Sequence, residues 1–182
     1  MIKTIGHSNH PIERFAGLLK RGGVELLVDV RSVPYSRRFP HFGRERLLES
    51  LETAGIAYLW EGEALGGRPG DKSGGYNVVA ARPAFKQALD RVIERSATTS
   101  LCLMCAEKEP LDCHRTLLVS RRLAERGAGI VHLLADGTTR SHREVEETLL
   151  AKQLGADLFD DRTKLLAQAY DARERAMKGR ST

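Results

Sequence analysis

Cys105, Glu107, Cys113, His114 and Arg115 stand together in the stretch LCLMCAEKEPLDCHRTLLVSRRLAERG, which runs from Leu101 to Gly127. Three readings are open to such a set: a thiol nucleophile, a thiolate and imidazole metal site, or a strand-to-helix connection whose sulfur is structural. Cys113 falls at an expected helix start beside His114 and Arg115, where a thiol ionises more easily than the usual pKa of about 8.5 allows. Cys105 closes the apolar run, and Glu107 is near enough in sequence to act as an acid or base at the same place. Cys102, inside the run, reads as core. A strand-end cysteine facing an arginine at a helix start is the outline of thiol-phosphate loops. Here, however, nine residues separate Cys105 from Arg115, and they lack the glycines that let backbone amides wrap a phosphate. The metal reading is the weakest. Cys113 and His114 are adjacent and awkward to aim at one ion, and no second closely spaced pair completes a tetrahedral set. No metal ligand is assigned, and the cofactor stays open.

Two other groups carry chemistry. The segment GHSN supplies His7, Ser8 and Asn9, of which Ser8 and Asn9 are also good helix-capping residues. Asp29 and Arg31 share one face of a strand-like run, where the acid is either a buried structural partner of the arginine or a proton-transfer group. From Arg31 to Arg46 the chain holds five arginines and a histidine against one glutamate, with Tyr35, Phe39 and Phe42 interleaved. Arg31, Arg37 and Arg38 at such a place can clamp a phosphate or carboxylate, and the aromatic rings can stack on a base. A solvated charge cluster is the plain alternative.

The elements that must position these residues follow from apolar periodicity. Strand-like runs at IKTIG, VELLVDVR, IAYLW, SLCLMC and GIVHLLA alternate with amphipathic segments. Those segments run from about Pro11 to Arg21, Arg44 to Ala54, Pro83 to Arg95, and onward from Cys113. Gly22 and Gly55 stand where the first two helices should stop. The stretch EGEALGGRPGDKSGGYN has no apolar period and reads as a long loop, either a lid or a surface insertion. Two more helices follow the fifth strand, the first opened by a capping box from Ser141 to Glu144, and the chain ends in a basic tail. This alternation predicts an α/β fold: a mainly parallel sheet of about five strands with helices on both faces, a three-layer, Rossmann-like arrangement. It is expected to form a single domain over 1–182, with 141–182 a helical extension. Ligands of such sheets bind beyond the carboxyl ends of the strands. That rim collects His7, Ser8, Asn9, Asp29, Arg31, Glu61, Cys105, Glu107 and Asp136, whereas the opposite rim carries mostly small connectors.

Composition fits this picture. The chain has 182 residues, 41% hydrophobic and 29% charged, with a net charge of +5, which are ordinary globular values. No run is long enough to span a bilayer, and the first residues lack a signal-peptide core, so a cytoplasmic protein with no membrane partner is expected. Three cysteines make no disulfide framework, so they are expected to be thiols. Two functions suit the residues. One is an enzyme, a cysteine-dependent hydrolase or transferase, acting on a phosphorylated or nucleotide-like anion. Arg31, Arg37, Arg38 and Arg115, with Ser8 and Asn9, would hold the anion, His7 or Asp29 would move protons with Glu107 and His114 beside them, and Cys105 or Cys113 would attack. The other is a nucleic-acid binding module in which Arg37, Arg38, Arg44 and Arg46 form a basic face and the cysteines are structural. The enzyme is preferred, because a binding face needs no thiol, carboxylate and histidines gathered at the strand ends. The partner is then a phosphate-bearing small molecule or a nucleic acid, and the oligomeric state is not read.

In order along the chain, TIGHSN, LLVDVRSVPYSRRFPHF, ALGGRP and LCLMCAEKEPLDCHRTLLVSRRL resemble the family called Domain of Unknown Function 488, over about the first three quarters of the sequence. The most specific element is CAEKEPLDCHR. The resemblance implies a compact cytosolic α/β domain in which Gly6, His7, Ser8, Asp29, Arg31, Arg37, Cys105, Glu107, Lys108, Pro110, Cys113, His114 and Arg115 occupy motif positions. It implies no substrate.

Overall fold

The computed structural model describes residues 1–67, 75–153 and 161–179. The five apolar runs form β1 (Ile2–Gly6), β2 (Leu26–Asp29), β3 (Ala57–Trp60), β4 (Leu101–Cys105) and β5 (Ile130–Leu133), joined by a short β6 (Thr139–Ser141). They make one sheet in the order β3-β2-β4-β1-β5-β6. The first five strands run parallel, and β6 turns back antiparallel beside β5. Every residue of β2 and β4 is buried. Covered on both faces, such strands read as continuous apolar runs rather than alternating ones.

The helices are α1 (Ile12–Arg21), α2 (Arg44–Thr53), α3 (Gly62–Leu65), α4 (Tyr76–Ala81), α5 (Pro83–Ser96), α6 (Arg121–Ala124), α7 (His142–Gln153) and α8 (Arg162–Lys178). A π-helical stretch, Arg115–Ser120, runs directly into α6. One face of the sheet is covered by α1 and α2, whose Phe15, Leu18, Leu19, Leu47 and Leu51 pack on Ile5, Leu27, Cys102 and Met104. The other is covered by α5 and the segment after β4, where Phe85, Leu89, Val92, Leu118 and Leu123 meet Ile2, Val28, Leu101, Leu103 and Cys105. Alternate residues of each strand thus serve opposite cores. The connections leaving β1 and β2 go to the first face. The one leaving β4, the strand between them, goes to the second. Neighbouring chain segments part there, at a topological switch point that opens a crevice beyond β1 and β4.

The stretch expected to be one long loop is interrupted by α3 and α4. Each short helix sends an apolar anchor inward, Leu65 and Val79 respectively, which is burial that turn chemistry alone does not reveal. Gly62 allows α3 to begin, because a Cβ there would lie 1.8 Å from the Arg31 carbonyl oxygen. Residues 68–74 of that stretch and the tail beyond Gly179 lie outside the described residues. The sixth strand, beyond the five expected, is short and polar and follows a turn in which Gly137 takes φ +94. Ser8 and Asn9 do not cap α1, which starts after Pro11 without a side-chain cap. The box at Ser141 forms as expected: Ser141 N donates to Glu144 Oε2 at 2.7 Å and Glu144 N donates to Ser141 Oγ at 3.2 Å. No helix among the described residues is long and apolar enough to cross a membrane.

The C-terminal helices pack on the π-helical stretch through Leu117, Val145, Leu149, Ala169 and Tyr170. A buried polar chain also ties them to the sheet. Thr4 Oγ1 pairs with His132 Nδ1 at 2.8 Å, His132 Nε2 with His142 Nδ1 at 3.0 Å, and His142 Nε2 with the Tyr170 hydroxyl at 3.1 Å. The hydroxyl donates to Glu146 Oε1 at 3.1 Å. All these bonds are satisfied at once when both imidazoles are neutral and each donates onward in one direction. Burial holds His142 down to a pKa of about 4. The unfolded chain takes up this proton near pH 6.5 and the folded chain does not. Stability is therefore complete above pH 6.5 and falls as the pH drops toward 4, by about 3 kcal/mol for His142 alone. Urea unfolding followed across that interval should show the loss, and H142Q should reduce it by about the share of one histidine, leaving the part due to His7 and His132.

Candidate functional site

At the rim of the sheet the ladder between β1 and β4 continues past both strands: His7 N donates to Cys105 O at 2.8 Å and Ser8 N to Ala106 O at 2.9 Å. The chain leaving β4 then crosses close over Gly6, where a Cβ would lie 1.8 Å from the Glu107 carbonyl oxygen. Only glycine permits that crossing. Arg115 holds it in place. Its guanidinium is 0% exposed and donates from Nη1 to Glu107 O at 2.5 Å and from Nη2 to Lys108 O at 3.2 Å. Expected to hold substrate, Arg115 instead spends these donors inside the protein on the loop that carries Glu107.

On the face of α1 and α2, Asp29 and Arg31 form a buried ion pair. Arg31 donates from Nη2 to Asp29 Oδ2 at 2.6 Å and from Nε and its own backbone N to Oδ1 at 2.9 and 3.0 Å. The Tyr58 hydroxyl donates a further bond to Oδ2 at 2.8 Å. Burial, then the charge of Asp29, pushes that phenol well above its usual range, so it stays a donor. The remaining Arg31 nitrogen, Nη1, reaches Phe42 O at 2.9 Å and His7 Nε2 at 3.4 Å. Because His7 Nδ1 faces the Ser8 carbonyl at 2.9 Å, that nitrogen carries the proton and Nε2 accepts from Arg31. The ring stacks on Phe42 with centroids 4.1 Å apart. Burial, then Arg31, lowers the His7 pKa to about 4.

On the opposite face lie the two sulfurs. Cys105 and Cys113 are 4% and 1% exposed, so the thiol expected to be reactive at a helix start is enclosed. Their ligand atoms and that of His114 lie within 4.8 Å of one another. Cys105 Sγ sits 3.3 Å from His114 Nδ1, while His114 Nε2 donates to Val30 O at 2.8 Å. Burial alone would push the Cys113 thiol up; hydrogen bonding with Cys105 and the charge of Arg115 outweigh it and bring it well below the usual thiol range. Cys105 is the protonated partner, pushed up first by its bond to Cys113 and then by burial. Cys102, on the other side of the strand, is raised by burial.

A cleft of about 420 Å³ opens at the switch point. Its walls are His7, Ser8 and Asn9 from the end of β1, Ser36, Arg38 and Phe39 from the segment after β2, and Ala106 and Glu107 from the end of β4. Ser8 takes φ 51 there, the left-handed region a serine rarely occupies, and its hydroxyl donates to Asn9 Oδ1 at 3.2 Å. Arg38 is exposed and lies over the Phe39 ring at 5.5 Å. Arg37 is exposed and is not among the lining residues. The structure therefore brings His7 to Arg31 and Asp29, and Cys105 to Cys113 and His114, as two clusters on opposite faces of one rim. Their residues were expected to share one cleft, but neither sulfur lines it. Phe39, one of the aromatic residues expected to stack on a base, does line the cleft, whereas Tyr58, Ser36 and the Val30 carbonyl went unread. Period-two alternation could have found Tyr58, one strand over from Asp29 in the register Leu27↔Tyr58, but a backbone carbonyl leaves no sequence signal.

Asp29→Asn should strand the Arg31 charge in the interior and cost about 3–5 kcal/mol, measured by urea unfolding. Tyr58→Phe, which removes one bond and no charge, should cost only about 1 kcal/mol.

A family model described as Domain of unknown function DUF488 matches residues 11–122. The match begins after His7 and Ser8, takes in Asp29, Arg31 and the whole of CAEKEPLDCHR, and stops before β5. No curated protein and no solved structure matches the chain. With more than half of its residues inside that match, the chain belongs to the DUF488 family.

Proposed function

We propose that this protein is an enzyme acting on a phosphorylated or nucleotide-like anion bound in the cleft beyond β1 and β4. The observation that carries the reading is the cleft's position at the switch point, with Arg38, Asn9, Ser8, Ser36 and Glu107 converging on it. Arg38 supplies the cation, the hydroxyls and the Asn9 amide supply hydrogen bonds, and the Phe39 ring offers a surface on which a base can stack. Of the two acid–base groups on the wall, His7 is the poorer base: its Nε2 lone pair is engaged by Arg31 and its pKa lies near 4. Glu107 is the better group to move a proton in a hydrolase or transferase reaction, and Arg115 fixes it through its backbone. Asp29 and Arg31 act one step back, positioning His7.

A second reading, a nucleic-acid binding module, is favoured by one observation. Tyr35 is 67% exposed and stands in a segment whose Arg37, Arg38, Arg44 and Arg46 are all exposed. Calorimetric titration with inorganic phosphate and with a nucleoside monophosphate separates the two. For the enzyme, Arg38→Ala should weaken nucleotide binding by about 1.5–3 kcal/mol, the worth of a charged hydrogen bond, and Arg46→Ala should leave it unchanged. Weak nucleotide binding, together with oligonucleotide binding that falls steeply with salt and suffers equally from either substitution, overturns it in favour of the second.

A further inference from the structure

We infer that Cys105, Cys113 and His114 form a binding centre for a soft divalent cation of the zinc class, ligated by the two Sγ atoms and by Nδ1. The centre is independent of the cleft reading, since neither sulfur lines the cleft.

The three ligand atoms lie within 4.8 Å of one another, and Cys105 Sγ is 3.3 Å from His114 Nδ1. Zinc–sulfur bonds of about 2.3 Å and zinc–nitrogen bonds of about 2.0 Å at tetrahedral angles place two sulfurs about 3.8 Å apart and sulfur from nitrogen about 3.5 Å. An ion therefore enters with small side-chain adjustments and no rearrangement of the fold. In regular secondary structure neighbours such as Cys113 and His114 diverge, but here the backbone is irregular between them. Cys113 is extended (φ −138, ψ 139) and His114 is helical (φ −60, ψ −26), and this change of conformation between them turns both side chains toward one point.

The surroundings suit a metal in three further respects. His114 donates Nε2–H to the Val30 carbonyl, which fixes the tautomer and leaves the Nδ1 lone pair facing the sulfurs; a carbonyl in this role is how ligating histidines are commonly oriented. Cys113 Sγ accepts from Arg115 N at 3.4 Å, a donor that supports a thiolate. Two thiolates and an imidazole with no carboxylate select zinc-like ions over magnesium or calcium, and the two negative sulfurs balance a dication where Arg115 would oppose excess positive charge. A Cys105–Cys113 disulfide, the other use of two close sulfurs, would leave His114 Nδ1 without the partner it has now. Three protein ligands among the described residues make an open set, whose fourth position is left to water or another small ligand.

The test uses the full chain, stripped with a chelator under reducing conditions and titrated with cobalt(II), then zinc(II). Binding of one cobalt per chain, with a thiolate-to-metal charge-transfer band, the intense visible bands of four-coordination, and bleaching by zinc, is the expected result. Cys113→Ser and His114→Ala should each lower zinc affinity by more than the roughly 10–100-fold that loss of a supporting outer residue costs, and Cys102→Ser should change nothing. Absence of the charge-transfer band in the wild-type protein, or wild-type zinc affinity in a folded Cys113→Ser variant, overturns the inference. The wild-type spectrum decides thiolate ligation by itself, so a variant that fails to fold does not shelter the proposal.

Discussion

A guanidinium sealed from water must find its acceptors inside the protein, and Arg115, whose two terminal nitrogens do so while Nε has no partner among the described residues, shapes the rim through them. Its bonds to the Glu107 and Lys108 carbonyls pin the loop leaving β4 across the end of β1, and Gly6 is the residue that lets the two backbones come so close. Everything of chemical interest hangs from that crossing. Glu107 is turned to the cleft on one side. On the other, Cys113 and His114 immediately precede the π-helical stretch that Arg115 opens, within reach of Cys105 at the strand end. The π-helical stretch is buried along its whole length, so its extra width is carried inside the protein and not at a frayed end.

The second organising contact is the pair Asp29 and Arg31. Three donors from Arg31 and one from Tyr58 satisfy the carboxylate, so its energy is spent on geometry: it fixes Arg31, and Arg31 in turn fixes His7 against Phe42. A buried ion pair adds little net stability relative to a well-packed apolar pair, but it is costly to break and therefore rigid in what it positions. That explains how an arginine-rich segment can put one arginine into the core and leave Arg37, Arg38, Arg44 and Arg46 in solvent.

Much of this was legible in the sequence. Apolar runs marked all five parallel strands, because burial on both faces makes such strands continuous in composition; amphipathic spacing marked α1, α2 and α5; and strand ends named the rim residues. What escaped had physical reasons. Helices α3 and α4 each bury one large apolar side chain fully, Leu65 and Val79, too few to make a period. The short, polar β6 exists because β5 offers it an edge. The division of the rim into two clusters depends on which face each side chain leaves. Alternation encodes that within a strand, but the turns at His7 and Cys113 reset it. The tertiary partners of a backbone carbonyl, such as Val30 O to His114, have no side-chain signature at all.

The histidine chain acquires a different meaning beside the family boundaries. Residues 11–122 are what the family model recognises, and Thr4, His132, His142, Glu146 and Tyr170 all stand outside them. The chain from β1 through β5 to α7 and α8 is therefore a seam sewn between the two flanks of the recognised core. A seam of one-way hydrogen bonds is cooperative in a mechanical sense, since freeing any link leaves its neighbours facing the wrong groups. Segments near the ends of a chain ordinarily fray independently. Here Thr4 of β1 and Tyr170 of α8 are joined in series through His132 and His142, so the two flanks of the core share one set of buried hydrogen bonds.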